Sequence, residues 1–160
     1  MHSLFPLVTE ISKIRGIVGI IKQNNGTIGL SELADETDED IDDLLPLVEA
    51  CKLLGFARIS GSAIKLTADG KKLGLGNSQR MIRERLKELE PFKSALDMLS
   101  MRDGEGATTD ELFDDLREKG IFIHSEKETN DILMKKMFLR LGVRTKLMSY
   151  DAERDIWMKA

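Results

Sequence analysis

The run Asp38-Glu39-Asp40-Ile41-Asp42-Asp43 concentrates carboxylates, and its spacing invites a metal reading. Asp38, Asp40, Asp42 and Glu49 occupy positions one, three, five and twelve of a calcium loop. The sixth position is Asp43, where the sharp turn of such a loop needs glycine, and the surrounding apolar residues keep helical spacing. Calcium is therefore not expected. His2, His124 and Cys51 are too scattered for a zinc site. Gly70-Lys71-Lys72 and Gly74-Leu75-Gly76 lack the GxxxxGK[ST] spacing of a phosphate loop. No nucleophile–base pair or paired carboxylates stand together. The sequence thus predicts no metal, no cofactor and no enzyme.

The elements that hold these residues follow from hydrophobic periodicity. Leu7, Ile11, Ile14, Val18 and Ile21 recur by fours and threes, the stripe of a buried helix or of one that meets a second copy. They are the candidate dimer helix, closed by Asn24-Asn25-Gly26. Thr27–Gly29 is short and β-compatible. Ser31 is expected to cap a helix to about Glu36, and Asp40 a second with Ile41, Leu44, Leu45, Val48, Cys51 and Leu54 on its apolar positions. Pro46 lies inside that helix. Phe56–Ser60 and Ala63–Thr67 alternate across Gly61-Ser62 as a hairpin, and Thr67 caps a short helix. A helix, a strand, two motif helices and a hairpin make a winged helix.

Gly74-Leu75-Gly76-Asn77 reads as a linker, followed by a basic helix capped by Ser78 and by a helix starting at Pro91. The earlier order then partly returns. Thr109 is expected to cap one helix, Ser125 with Glu128 to form a capping box on the next, and Val143–Tyr150 with Arg154–Met158 to close as a hairpin. The expected fold is mainly α with small β-hairpin wings (α+β), a tandem winged helix. Residues 1–73 form the first domain, 74–106 linker helices, and 107–160 a second, degenerate winged helix.

A winged helix reads DNA with the start of its second motif helix in the major groove. Here that surface is acidic: between Asn25 and Ala50 there are nine Asp or Glu and no Lys or Arg. Carboxylates there repel phosphates, and nothing stands ready to pair with purine edges. The first module is not expected to bind DNA. The bland reading is a solvated helix start that complements the helix dipole. The sharper one is a protein-docking face of Asp38, Asp42, Asp43, Leu45 and Pro46, an apolar centre within an acidic rim. In the second module Lys135, Lys136, Arg140, Arg144 and Lys146 cluster, and the linker helix adds Arg80, Arg83, Arg85 and Lys87. They support the alternative, a DNA-binding transcription regulator, although Glu126, Glu128 and Asp131 share the helix. Met98 with Met101 and Met134 with Met137 read as core filler.

Composition agrees with a folded chain of 160 residues: 41% of residues are apolar and 32% charged, with a net charge of −4. That balance counts mildly against nucleic acid. One cysteine excludes an internal disulfide and fits a reducing compartment. With no secretion signal and no apolar run long enough to span a bilayer, a cytoplasmic location without membrane insertion is expected.

Over Leu33–Leu73 the sequence, and within it DIDDLLPLVEACKLLGF with its mid-helix Pro46, resembles the C-terminal AAA-associated domain family. DELFDDL and SYDAERDIW extend the resemblance toward the end of the chain, while Leu139–Arg144 departs from the family's aromatic-rich approach to the last hairpin. Members sit behind the ATP-binding subunits of nitrate-, sulfonate- or taurine-type ABC importers, or stand alone in archaea. The resemblance implies a non-catalytic regulatory or protein-interaction module with an ABC transporter ATP-binding subunit as candidate partner. It brings no catalytic residues. A homodimer through the Leu7–Ile21 helix is the second expected association.

Overall fold

The computed structural model describes residues 4–160. Among them are eight α-helices, one π-helical turn and two small antiparallel sheets, an α+β architecture. Two compact units are present: Glu10–Met81, and the residues up to Thr9 together with Ile82–Ala160.

The amino-terminal unit is built on α1 (Ile11–Gln23), whose Ile11, Ile14, Ile17, Val18 and Ile21 are buried. Each buried isoleucine contributes about 1.5–3 kcal/mol by leaving water. The helix ends where Asn25 and Gly26 turn to positive φ (61° and 88°) and the Gly26 N–H returns to the Ile21 carbonyl. Then follow β1 (Thr27–Gly29), α2 (Leu30–Thr37), α3 (Ile41–Leu53), β2 (Ala57–Ser60), β3 (Ala63–Leu66) and α4 (Ala68–Lys72). The sheet runs β1-β3-β2, all antiparallel, with Ser60 opposite Ala63 across the two-residue turn. Thr67 caps α4 by accepting from the Gly70 N–H at 3.1 Å. A Cβ on Gly70 would lie 2.0 Å from the Phe56 carbonyl oxygen, so only glycine lets α4 approach the sheet so closely. The expected cap at Ser31 is corrected. Strand β1 runs directly into α2, so Gly29 is the N-cap position and Ser31 is already helical.

Helix α5 (Ser78–Leu86) begins in the first unit and enters the second at Ile82, where it buries Ile82 and Leu86, and α6 (Phe92–Met101) buries Phe92, Ala95 and Leu99. Next come α7 (Thr109–Glu118), α8 (Lys127–Met137), a π-helical turn over Phe138–Val143, β4 (Met148–Asp151) and β5 (Ile156–Lys159). Strands β4 and β5 pair antiparallel, and Ala107 adds a single bridge to Trp157 beside them. The order of the first unit thus recurs, with one bridge where β1 stood. Gly106 permits it: φ is +73°, and a Cβ would lie 2.4 Å from the Trp157 carbonyl oxygen.

The core of this unit is aromatic. Phe92 stacks on Phe138 with centroids 5.3 Å apart, Phe138 meets Phe113 and Trp157 edge-on at 5.4 and 5.9 Å, and Phe5 meets Phe92 at 6.1 Å. Phe5 arrives from the amino terminus, where its N–H donates to the Glu90 carbonyl at 2.6 Å. Residues 4–9 are therefore not the start of the first helix. Leu7 lies outside α1, because this segment is held by the other unit.

Three further caps differ from expectation. Thr108, not Thr109, caps α7, accepting from the Glu111 N–H at 3.2 Å while Glu111 accepts from the Thr108 N–H at 3.0 Å. Ser125 with Glu128 forms no capping box. Helix α8 begins later, after Glu126, and the buried Asn130 fixes its entry by accepting from the Ile123 and His124 N–H groups. Ser78 is the first residue of α5, buried and with its hydroxyl unpartnered, rather than a cap. Among the described residues no helix is long and apolar enough to cross a membrane.

Candidate functional site

Helix α3 presents the acid-rimmed surface. Its inner face buries Leu44, Leu47, Val48 and Cys51. Turning those inward leaves Leu45 outward at 47% exposure and, one turn before it, Ile41 at 43%. The two side chains are neighbours on one helix face, an exposed apolar pair. Ile41 escapes a sequence reading because it fits the apolar periodicity of the helix as well as any core position. Only the direction in which α3 packs separates it from Leu44.

The acids surround that pair. Asp38 ends α2 in the left-handed region (φ 56°), which aspartate tolerates, and Asp40 precedes α3 without using its side chain as a cap. Asp42 and Asp43 lie exposed in the first turn of α3, where carboxylates complement the helix dipole. The side chains of Asp38, Asp42 and Asp43 have no hydrogen-bond or ion-pair partner among the described residues, whereas Glu39 pairs with Lys13 at 3.8 Å and Glu49 with Lys52 at 3.8 Å. Half-buried Pro46 lacks an N–H, so the Asp42 carbonyl loses its usual helical donor four residues on. Asp42 and Glu49 sit on one helix about 10 Å apart along its axis. Among the described residues no group of three His, Cys, Asp or Glu side chains could hold a metal ion.

The candidate dimer helix lies differently. Ile11, Ile14, Val18 and Ile21 fill the core of their own unit, and exposed Leu7 is on the segment preceding α1. The candidate nucleic-acid residues divide as well. Lys136, Arg140, Arg144 and Lys146 are exposed, but half-buried Lys135 stands over the Tyr150 ring at 5.1 Å, a cation–π contact inside the unit.

One constellation is absent from the sequence reading. Asp155, in the turn between β4 and β5 at φ 53°, accepts from the Thr109 hydroxyl at 2.5 Å and the Tyr150 hydroxyl at 2.7 Å. The Thr109 hydroxyl in turn accepts from the Trp157 indole N–H at 2.9 Å. Burial pushes the Asp155 carboxyl up, but the Thr109 and Tyr150 hydrogen bonds together outweigh it and hold the pKa below the ordinary aspartate value. These residues fasten the last hairpin to the start of α7. The only local signal is an aspartate in a turn two residues before tryptophan, and Thr109 is 46 residues away from it in sequence. Cys51 is the opposite case, a side chain capable of chemistry that has been silenced: complete burial pushes its thiol up to about 12.

The family model described as C-terminal AAA-associated domain matches residues 31–151, taking in α3 and the Asp155 constellation's Thr109 and Tyr150. No curated protein sequence matches the chain. Among solved structures, a crystal structure of CalO1, a methyltransferase in calicheamicin biosynthesis, in SAH-bound form, aligns at 15% identity with a TM-score of 0.36. The alignment covers 86% of this chain and 42% of that one, so the chain spans under half of the aligned structure's length. The expectation that the chain is not an enzyme is corrected on this finding: the aligned structure is an enzyme's, and a non-enzyme assignment is withdrawn. At that TM-score and identity the likeness assigns neither a fold nor an activity.

Proposed function

We propose, since the chain belongs to the C-terminal AAA-associated domain family, that it is a regulatory protein-interaction module whose partner is an ABC transporter ATP-binding subunit. The observation that carries the reading is the α3 surface. Ile41 and Leu45 are left exposed beside three carboxylates that no partner among the described residues neutralises. An apolar centre with a charged rim is the anatomy of a protein interface, and the rim would select a basic surface on the partner.

In this reading the amino-terminal unit is a winged helix, supported by the order α1-β1-α2-α3-β2-β3, and the recurrence of that order supports a second one. The divisions at 73/74 and 106/107 are kept as proposed functional boundaries, although α6 between them packs its Phe92 into the core of the second unit. Placement in the cytoplasm follows from the proposed partner, because an importer's ATP-binding subunit works there. The candidate dimer helix supplies its own unit's core, so the partner surface is assigned to α3. No observation favours the DNA-binding alternative for α8, where Lys135 is occupied by Tyr150.

The test is isothermal titration of the full chain with an ABC importer ATP-binding subunit from the same organism. Binding that weakens at least about tenfold in Leu45→Asp, and in Ile41→Gln with its fold intact by circular dichroism, is the expected result. Unchanged affinity in both variants would overturn the α3 assignment. No complex with any importer subunit would overturn the partner.

A further inference from the structure

We propose that the carboxy-terminal unit carries a binding site for a compact polyanion bearing phosphate groups, in a groove of about 510 Å³ between α5, α6, the turn before β4 and the end of β5. Arg83 and Lys87 come from α5, Lys93 from α6, Lys146 from the turn and Lys159 from β5. Among the described lining residues two side chains are acidic, Glu84 and Asp97, and cationic side chains exceed them by three. The chain as a whole carries a net charge of −4. A local excess of positive charge therefore runs against the average composition, and cations crowded in one concavity raise the local concentration of anions.

The internal pairing leaves donors free. Glu84 is taken by Lys87 at 3.1 Å and approached by Arg83 at 3.7 Å. The Lys87 hydrogen bond and charge, with those of Arg83, hold the Glu84 carboxyl below its ordinary pKa, so it stays ionised and spends itself on its own neighbours. Arg83 also donates to the Thr145 carbonyl at 3.3 Å, which fixes its guanidinium near the turn, and Lys159 donates to the Ser100 hydroxyl at 3.2 Å. Lys93 and Lys146 have no polar side-chain partner among the described residues.

Lys146 adds an independent observation. It sits at φ 66°, with its N–H returning to Val143 and the next N–H to Gly142, the left-handed closure of a helical end where glycine is the usual residue. The chain bears backbone strain there to carry a lysine. Among the described residues the lining has no aromatic ring to stack on a base, and flexible ammonium groups match phosphate charge rather than a planar shape. Of the five residues that could make a nucleic-acid face, only Lys146 reaches the groove. That favours a small polyphosphate or sugar phosphate over a duplex.

Titration of the full chain with sodium tripolyphosphate at about 50 and about 200 mM salt tests the site. Saturable binding is expected, weaker at the higher salt, and reduced at least about tenfold in Lys93→Gln and in Lys146→Gly. Lys135→Gln with Lys136→Gln should bind as the parent does. Lys146→Gly is also expected to melt at a higher temperature than the parent, because glycine relieves the left-handed backbone, so its lost binding cannot be ascribed to misfolding. Absence of binding at the lower salt would overturn the proposal. So would equal weakening in all lysine variants, or tighter binding of a short DNA duplex that Lys135→Gln with Lys136→Gln abolishes. None of these readouts involves an ABC subunit, so this inference and the partner assignment fail separately.

Discussion

The two units arrange helices and hairpins in the same order but fill their cores differently. The amino-terminal unit is aliphatic, with Ile14, Ile21, Leu33, Leu44 and Leu54 fully buried and Phe56 its one large ring. The carboxy-terminal unit collects Phe5, Phe92, Phe113, Phe138, Tyr150 and Trp157 into contacting rings. Aliphatic packing needs only a continuous stripe, which a three-stranded sheet and a three-residue connection from α2 to α3 supply. The aromatic core has one strand fewer and a longer α7–α8 connection, and it replaces the missing ladder by directed contacts. These are the Ala107–Trp157 bridge, the Asn130 side chain holding the backbone before α8, and the Asp155 hydrogen bonds. The difference is one of specificity: ring geometry and polar fastening do in the second unit what strand pairing does in the first.

The strongest way to break that comparison is Trp157→Ala. Trp157 is wholly buried, contacts the rings of Phe138 and Tyr150 at 5.9 and 4.3 Å, and donates to Thr109. Its loss should cost about 3–5 kcal/mol in urea unfolding. The amide protons of β4 and β5 should lose their protection while those of β1–β3 keep theirs. Equal loss in both sheets would mean that the two cores unfold as one.

Legibility in the sequence follows the same division. The aliphatic unit was readable nearly element by element, because periods of two and of three to four determine its burial; the departures are at helix caps, Ser31 because β1 passes straight into α2 and Asp40 because its side chain makes no capping hydrogen bond. Where the second unit departs from the reading, a partner outside the capping pattern decided the local structure, distant for Phe5 and Thr109 and six to seven residues along for Asn130. Phe5 pairs with Glu90 and so removes Leu7 from the first helix. Thr109 has the residue type of a cap, but Asp155 recruits it and Thr108 takes the capping role. Asn130 displaces the capping box that Ser125 and Glu128 spell. Of the candidate face, the acids were evident from charge alone. Ile41 was not, since an exposed and a buried apolar residue look alike until the helix is oriented.

A smaller effect separates polar fastening from ring packing. The Asp155 carboxyl titrates lower in the folded chain than an ordinary aspartate, near 3.9. A group of this kind stabilises the fold above its unfolded pKa, and the contribution disappears as pH falls through the folded one. Asp155→Asn keeps the shape but weakens acceptance from Thr109 and Tyr150, so it should cost about 1–2 kcal/mol at pH 7. The gap between the variant and its parent should narrow as pH drops below about 4. A gap independent of pH would place the role of Asp155 in its backbone at φ 53° rather than in its charge.

The smallest expected change is the most informative about surfaces. Each unit exposes an isoleucine on a helix, Ile41 on α3 at 43% and Ile132 on α8 at 68%. Neither supports its core, so Ile41→Gln and Ile132→Gln should each alter stability by no more than about 0.5 kcal/mol. Their surroundings differ in charge: Asp38, Asp42 and Asp43 lie near Ile41, whereas Lys135 and Lys136 follow Ile132. An ATP-binding subunit recognised through a basic surface should therefore notice the first substitution and ignore the second. A loss of about 2 kcal/mol of stability in Ile41→Gln would show the residue to be core after all. Equal loss of binding in the two variants would mean that α8 shares the interface, and that the opposite charges of the two helices do not divide the units' partners.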